Sequence, residues 1–350
     1  MSPFSALRRF VGALWGGLRR QPVKSTLCAV CFGAYLGTDI WDDVAPVSTH
    51  DWIAEQLNGL HVAEPGDFHF IVYGDNEGDR PPFASMLEEV AADPSIAFVV
   101  GNGDLVKTEG KEQFRQLIQQ IRARLHVPFI PVPGNRDVEH CGLLWRRIMG
   151  PRNYTFRVGA NAFVAFDDNS ADALAENQIQ WLEQALADAQ DCDTRIVVMH
   201  IPLFDRANGI VGHCIPEAQS RRLIDIFHKG RVTYVFVSHV HGYYTGDYEG
   251  IPYTITGGGG GRLAGSTPEH YFFHYLRVHL HDGRLDVEVR RVPSPLSHRW
   301  FGPYGYSAWL MVRDLTTFQG LETSSLIAFI VLGLLLVRPL LRRARPEARA

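Results

Sequence analysis

Six short apolar runs punctuate the middle of the chain, at residues 68–73, 97–100, 128–132, 162–166, 195–199 and 232–237. Each is bounded by turn-forming residues and is too short for a typical helix, so each predicts a buried strand. Between them the apolar positions recur at helical spacing. The clearest case is 176–189, where Ile179, Leu182 and Leu186 share one face, with Trp181 and Ala185 beside them. Similar spacing predicts helices over 83–92, 111–125, 136–149 and 216–228. Strand and helix in alternation predict an α/β layered fold with largely buried sheets. Beyond His241 the pattern turns to strands, at 253–256, 271–280 and 285–292, separated by glycine and Asp-Gly turns. The one low-complexity stretch is the glycine run Gly257 to Gly261.

The two ends have a different pattern. Residues 25–38 carry no charge, follow Lys24 and four arginines, and precede Asp39, Asp42 and Asp43. Basic residues before and acidic residues after an apolar stretch predict a signal anchor with a cytoplasmic N-terminus. Residues 323–337 form the second uncharged stretch, and their basic cluster follows. The expected order is a basic amphipathic cytoplasmic arm (1–24), a transmembrane anchor (25–40), the main domain (60–295), a linker (296–322), a second transmembrane helix (323–341) and a basic cytoplasmic tail (342–350). That order places the protein in an inner or plasma membrane with its main domain on the non-cytoplasmic side. Both uncharged stretches fall short of the roughly 20 apolar residues of a typical span, and a cleaved signal peptide is the rival reading of the first.

With 350 residues, 46% of them hydrophobic, the chain can bury one substantial core. The formal net charge of −4 conceals basic ends. Outside residues 1–24 and 338–350, 24 basic residues face 37 acidic ones, a net charge near −13. Such a body is a poor binder of long nucleic acid, whose recognition rests on neutralising phosphates. The five cysteines form neither a zinc ladder nor a disulfide framework.

Five motifs stand where strands end: YGDNEG with Asp75 and Glu77, GNGDLV with Asp104, PGNRD with Asn135, Arg136 and Asp137, MHIP with His200, and SHVHGY with His239 and His241. Ligand sites of α/β sheets gather beyond the carboxyl ends of strands. Singly, such an aspartate is more often a turn or helix cap and such a histidine more often a hydrogen-bonded core residue than a ligand. Together, carboxylates, an amide oxygen and imidazoles suit Mn, Fe or Zn rather than Ca or Mg.

In order and spacing the motifs resemble those of the calcineurin-like metallophosphoesterases, whose sequence of motifs is D-x-H, G-D, G-N-H-D/E, a lone His and G-H-x-H. The resemblance spans residues 68–292 and extends to NQIQWLEQAL and the glycine run. It implies a four-layered α/β/β/α sandwich of two mixed sheets. It also implies a phosphatase or phosphodiesterase with two metal ions, bridged by Asp104. Asp75 and His241 would serve one ion; Asn135, His200 and His239 would serve the other. A metal-bridging hydroxide would attack a phosphate mono- or diester in line. The substrate expected is a small or, given the membrane placement, lipid-linked phosphate ester.

The chain departs from that pattern at three positions. Ser238 replaces a glycine. Glu77 stands in place of the D-x-H histidine, where its oxygen could still ligate and would favour Mn or Fe. Arg136 replaces the histidine that protonates the leaving group or holds the substrate phosphate. An arginine stays protonated, so it can clamp phosphate but cannot act as an acid. His213 is the candidate to supply the proton, and Asp137 either orients the loop or caps a helix. The alternatives are a metal- or ligand-binding module of the same fold with weakened chemistry, and a nucleotidase or nuclease.

Overall fold

A computed structural model describes residues 22–44, 50–78, 80–169, 174–204, 214–315 and 324–335. The chain divides into two units, 47–307 and a smaller one formed by 1–46 with 308–350. In the larger unit α2 (Trp52–Asn58) precedes β1 (Asp67–Tyr73), α3 (Pro81–Ala91), β2 (Ile96–Asn102), α4 (Lys111–Arg124) and β3 (Phe129–Val132). There follow α5 (Leu143–Ile148), β4 (Tyr154–Val158), β5 (Asn161–Ala165), α6 (Glu176–Asp188), β6 (Thr194–Val198) and α7 (Glu217–Lys229). Strands β7 (Tyr234–Val237), β8 (Tyr243–Tyr248), β9 (Ile251–Thr256), β10 (His274–His281) and β11 (Arg284–Arg291) lead to α8 (Leu296–Leu315).

The strands form two mixed sheets, ordered β11-β10-β1-β2-β3 and β4-β5-β6-β7-β9-β8. Parallel pairing at β1-β2-β3 and at β5-β6-β7-β9 reflects the crossovers that the alternating pattern predicts. The sheets face each other through aromatic side chains. Phe70 meets Phe163 edge-on at 5.4 Å and Phe236 at 6.2 Å, and Phe98 meets Phe163 at 5.5 Å. Helices cover the outer faces. Ile179, Leu182 and Leu186 of α6 and Leu223 and Phe227 of α7 pack with Val197 and Val235, while Phe83 of α3 lies 5.3 Å from Tyr73.

Two strands escape the sequence pattern. β4 and β8 are half-exposed edge strands, where alternation is diluted by Arg157 or by Gly246 and Asp247. The helix expected over 136–149 shrinks to α5, because Cys141 and Gly142 take positive φ of 64° and 62° and break it. Residues 296–315, within the expected linker, are helical with a kink at Gly302.

The expectation of membrane spans is corrected. Among the described residues no helix is long and apolar enough to cross a membrane. Helix α1 (Pro22–Val44) reaches 23 residues only by including Lys24, Asp39, Asp42 and Asp43. At 1.5 Å per residue its uncharged stretch covers about 21 Å, against a hydrocarbon core of about 30 Å. The second helical stretch is described over 324–335. With the spans go the membrane placement, the orientation and the lipid-linked substrate inferred from them. Most of the expected arm and the whole tail lie outside the described residues.

One core group ties stability to pH. His274, wholly buried, has its Nδ1–H turned to the Phe272 carbonyl at 2.8 Å, and burial pushes its pKa down to about 4. Between that value and the usual one near 6.5 the unfolded chain takes up a proton that the folded chain refuses. His274's contribution to stability is therefore expected to be full above about pH 6.5 and to fall as pH drops towards 4. Thermal unfolding over that range checks this, and a His274→Asn variant should lose part of the slope.

Candidate metal centre

The loops that leave β1, β2, β3, β6 and β7 converge at one edge of the two sheets. Their ligand-type residues sit on unusual backbone: Asp75, Glu77, Asp104, His239 and His241 have φ between 48° and 67°. Left-handed backbone is uncommon outside glycine, though Asn, Asp and His tolerate it best, and it concentrates at functional sites. His239 and His241 therefore do not project side by side from an extended segment, as their i, i+2 spacing suggests. They turn to different neighbours.

Two groups of donors lie close enough to share a cation each, Asp75 with Asp104 and His241, and Asp104 with His200 and His239. Asp104 belongs to both. His241 Nε2 is 3.4 Å from Asp75 Oδ1 and 3.8 Å from Glu77 Oε1. His200 Nε2 is 3.4 Å from Asp104 Oδ1, 3.2 Å from Asn135 Oδ1 and 3.1 Å from His239 Nδ1. All seven metal-ligand candidates read from the sequence thus meet at one edge.

The protonation pattern fits cations. His241 Nδ1 faces the Arg262 carbonyl at 2.7 Å, an acceptor, so it carries the proton and leaves the Nε2 lone pair turned to carboxylate oxygens. His200 Nδ1 faces the Asn102 carbonyl at 3.2 Å and Ser238 Oγ at 2.9 Å, with the same result. Burial pushes the His200 pKa down to about 3, which keeps the ring neutral. Asp75 Oδ1 is buried without a hydrogen-bond partner. Burial, with Asp104 and Glu77 beside it, holds the Asp75 carboxyl well above its ordinary range, and burial likewise raises Asp104. Lone pairs aimed at buried carboxylates are unfavourable in isolation and favourable around a divalent cation.

Glycines make this convergence possible. A Cβ on Gly103 would lie 2.2 Å from His200 Nδ1, and one on Gly134 2.1 Å from the Asp104 nitrogen. The glycine run crosses beneath the site. Gly259 N donates to the Gly74 carbonyl, Gly261 N donates to that of Asp75, and a Cβ on Gly257 would lie 2.8 Å from Asp75 Oδ2. The Tyr306 hydroxyl of α8 donates to the Gly260 carbonyl at 2.9 Å.

The expected catalytic residues divide three ways. Arg136 is at the site, its Nε 3.1 Å from both Asp104 Oδ2 and Glu77 Oε1. Asp137 is wholly buried behind it and accepts from the backbone N–H groups of Leu105, Val106 and Gly134 at 2.8–3.0 Å. It positions the loops that carry Asp104 and Asn135, and those bonds leave it no path to substrate. His213 lies outside the described residues. Sequence reasoning passed over Asp168, whose carboxylate accepts from the His200 and Ile201 N–H groups and so aims His200. Its position after β5, in the same sheet-edge location as the other motifs, was the available signal. Ser238, which departs from the resembled pattern, steadies the His200 ring.

Fold and site together define a metal-dependent phosphoesterase. The calcineurin-like phosphoesterase family model matches residues 61–243, and the chain belongs to that hydrolytic family, whose fold implies bound divalent metal ions. Serine/threonine-protein phosphatase CPPED1 of Rattus norvegicus is 28% identical over 237 residues, 58% of this chain and 72% of the rat protein. Glycerophosphodiester phosphodiesterase GpdQ of Enterobacter lignolyticus is 30% identical over 117 residues, 30% of this chain and 42% of that enzyme. Purple acid phosphatase PPD1 from yellow lupin (Lupinus luteus) superposes with a TM-score of 0.52 at 19% identity, over 64% of this chain and 51% of that one. At that identity the likeness concerns fold alone. The chain spans less than half the length of GpdQ and about half that of the lupin protein.

Proposed function

We propose that the chain is a dinuclear hydrolase of small phosphate monoesters or diesters. The observation that carries this is Asp104, one carboxylate common to both donor groups. Asp75, Glu77 and His241 would join it around one cation; Asn135, His200 and His239 around the other. When bound, two such cations supply the Lewis acidity that activates water near neutral pH and offsets phosphoryl charge. Glu77, a hard oxygen donor, tilts its position towards Mn or Fe. The names of the rat and Enterobacter relatives, a phosphatase and a phosphodiesterase, support either ester class.

The chain's own residues bind and orient. Arg136, partly exposed and anchored through Nε by Asp104 and Glu77, keeps N–H groups for a phosphate oxygen. It stays charged, so proton delivery to the leaving group falls to another group or is dispensable for good leaving groups. Arg136→Ala is expected to lower kcat/KM about 10–100-fold, the range for losing a charge-assisted hydrogen bond worth about 1.5–3 kcal/mol. Arg136→Lys should recover only part. Steady-state kinetics on p-nitrophenyl phosphate check this, and unchanged turnover in the Ala variant would remove the clamp.

The same Arg136 contacts favour a second reading. A guanidinium against Asp104 and Glu77 partly neutralises the carboxylates a cation needs, as a binding module that had lost its chemistry would. Metal analysis separates the two. About two transition-metal ions per chain, with chelator-sensitive cleavage of p-nitrophenyl phosphate or its bis ester restored by Mn or Fe, is expected of the enzyme. A metal-free, inactive protein supports the module.

A further inference from the structure

Chemistry of another kind occupies the opposite end of β1. Asp67 and His69 open that strand, with His69 about 20 Å before Asp75 at roughly 3.3 Å per residue. They lie on the outer face of the first sheet. The register sets His279 opposite His69, His281 opposite Asp67 and Asp286 opposite His279, so three adjacent strands present all five side chains on one face. The rings of His69 and His279 stack at 4.1 Å and those of His279 and His281 lie 4.4 Å apart. His279 Nε2 is 2.7 Å from Asp67 Oδ1, and His281 Nε2 is 2.8 Å from Asp286 Oδ2.

We propose that His279, His281 and Asp286 form a second, outer site for a divalent transition cation of the zinc class. One donor atom from each lies within 4.8 Å of the others. Two imidazoles and a carboxylate suit Zn, Ni or Cu and not Ca or Mg. Tetrahedral zinc needs donors about 3.3 Å apart, and the half-exposed rings and exposed Asp286 can close that gap by side-chain rotation. Strand positions fix the three backbones, His69 braces His279 by stacking, and Asp67 orients the same ring through its contact with Nε2. A divalent ion held by His279, His281 and Asp286 would draw two imidazoles and a carboxylate from two paired strands onto one centre. Because β11 is the sheet edge, an ion there ties the edge strand to its neighbour.

The test uses untagged full-length chain and zinc alone, counted after equilibrium dialysis and titrated calorimetrically. His279→Gln/His281→Gln is expected to bind one zinc fewer than wild type, with phosphoester turnover within twofold. Asp286→Asn should weaken that binding step at least tenfold. Asp104→Asn, which addresses the strand-end centre, should leave the outer ion in place, so failure of one site is distinguishable from failure of the other. Equal zinc counts in wild type and the double variant overturn the proposal. Should the double variant fail to fold, unchanged zinc binding by Asp286→Asn, at an exposed position, overturns it as well.

Discussion

Asp104→Ala is expected to reduce phosphoester turnover about 10³-fold, roughly 4 kcal/mol of transition-state stabilisation, and to lower the metal bound at the strand-end centre from about two ions to one or none. The size follows from Asp104's position in both donor groups, since no other described residue is common to them. It also accepts the Arg136 backbone N–H at 2.9 Å, so its loss loosens the proposed phosphate clamp. Asp104→Asn separates site loss from collapse. In metal-free protein, burial holds the Asp104 carboxyl up and so opposes its charge. A neutral isostere of the same shape should keep the fold while binding less metal. Kinetics, metal analysis and melting measured together check this, and an Asn variant that keeps two ions and full turnover would dismiss the shared-ligand arrangement.

Asp137→Ala should cost about 3 kcal/mol or more, because three backbone N–H groups buried with its carboxylate lose their acceptor, each worth about 1 kcal/mol or more. For a domain of this size that is a drop of about 6–12 °C in Tm. Asp137→Asn keeps one acceptor oxygen but turns an NH2 group on a backbone N–H, so it should fall between. Activity should decline with loop order in both. A melting temperature within about 2 °C of wild type for the Ala variant would show that the loops hold without it.

Much of the site was legible because its chemistry sits on side chains at strand ends. Asp75, Asp104, Asn135, His200, His239 and His241 each follow an apolar run, and the alternation of strands and helices brings those ends to one edge. What aims the histidines was hidden: the Asn102 and Arg262 carbonyls carry no residue-type signature. Asp137 was visible as a motif residue, yet its three N–H partners depend on two loops meeting, which spacing does not encode. β4 and β8 were missed because edge strands need no continuous apolar face. At the chain ends the charge asymmetry was a correct observation, but among the described residues no helix there is long and apolar enough to cross a membrane.

Left-handed backbone at the ligand positions also has a bearing on how such a centre changes over generations. Asp and His are among the few residues that accept φ near 50–70°, so drift at Asp75, Asp104, His239 and His241 is confined to a small alphabet, most of it able to ligate. Glu77 lies outside that alphabet. Its conformation at φ 48° is imposed by ladder-like bonds to the neighbouring loop, from Glu77 N to the Asp104 carbonyl and from Gly78 N to that of Leu105, both 2.9 Å. At this position backbone bonds, rather than residue type, hold the left-handed conformation. If Glu77 ligates as proposed, an exchange between glutamate and histidine there would change the donor offered to a metal without rebuilding the scaffold.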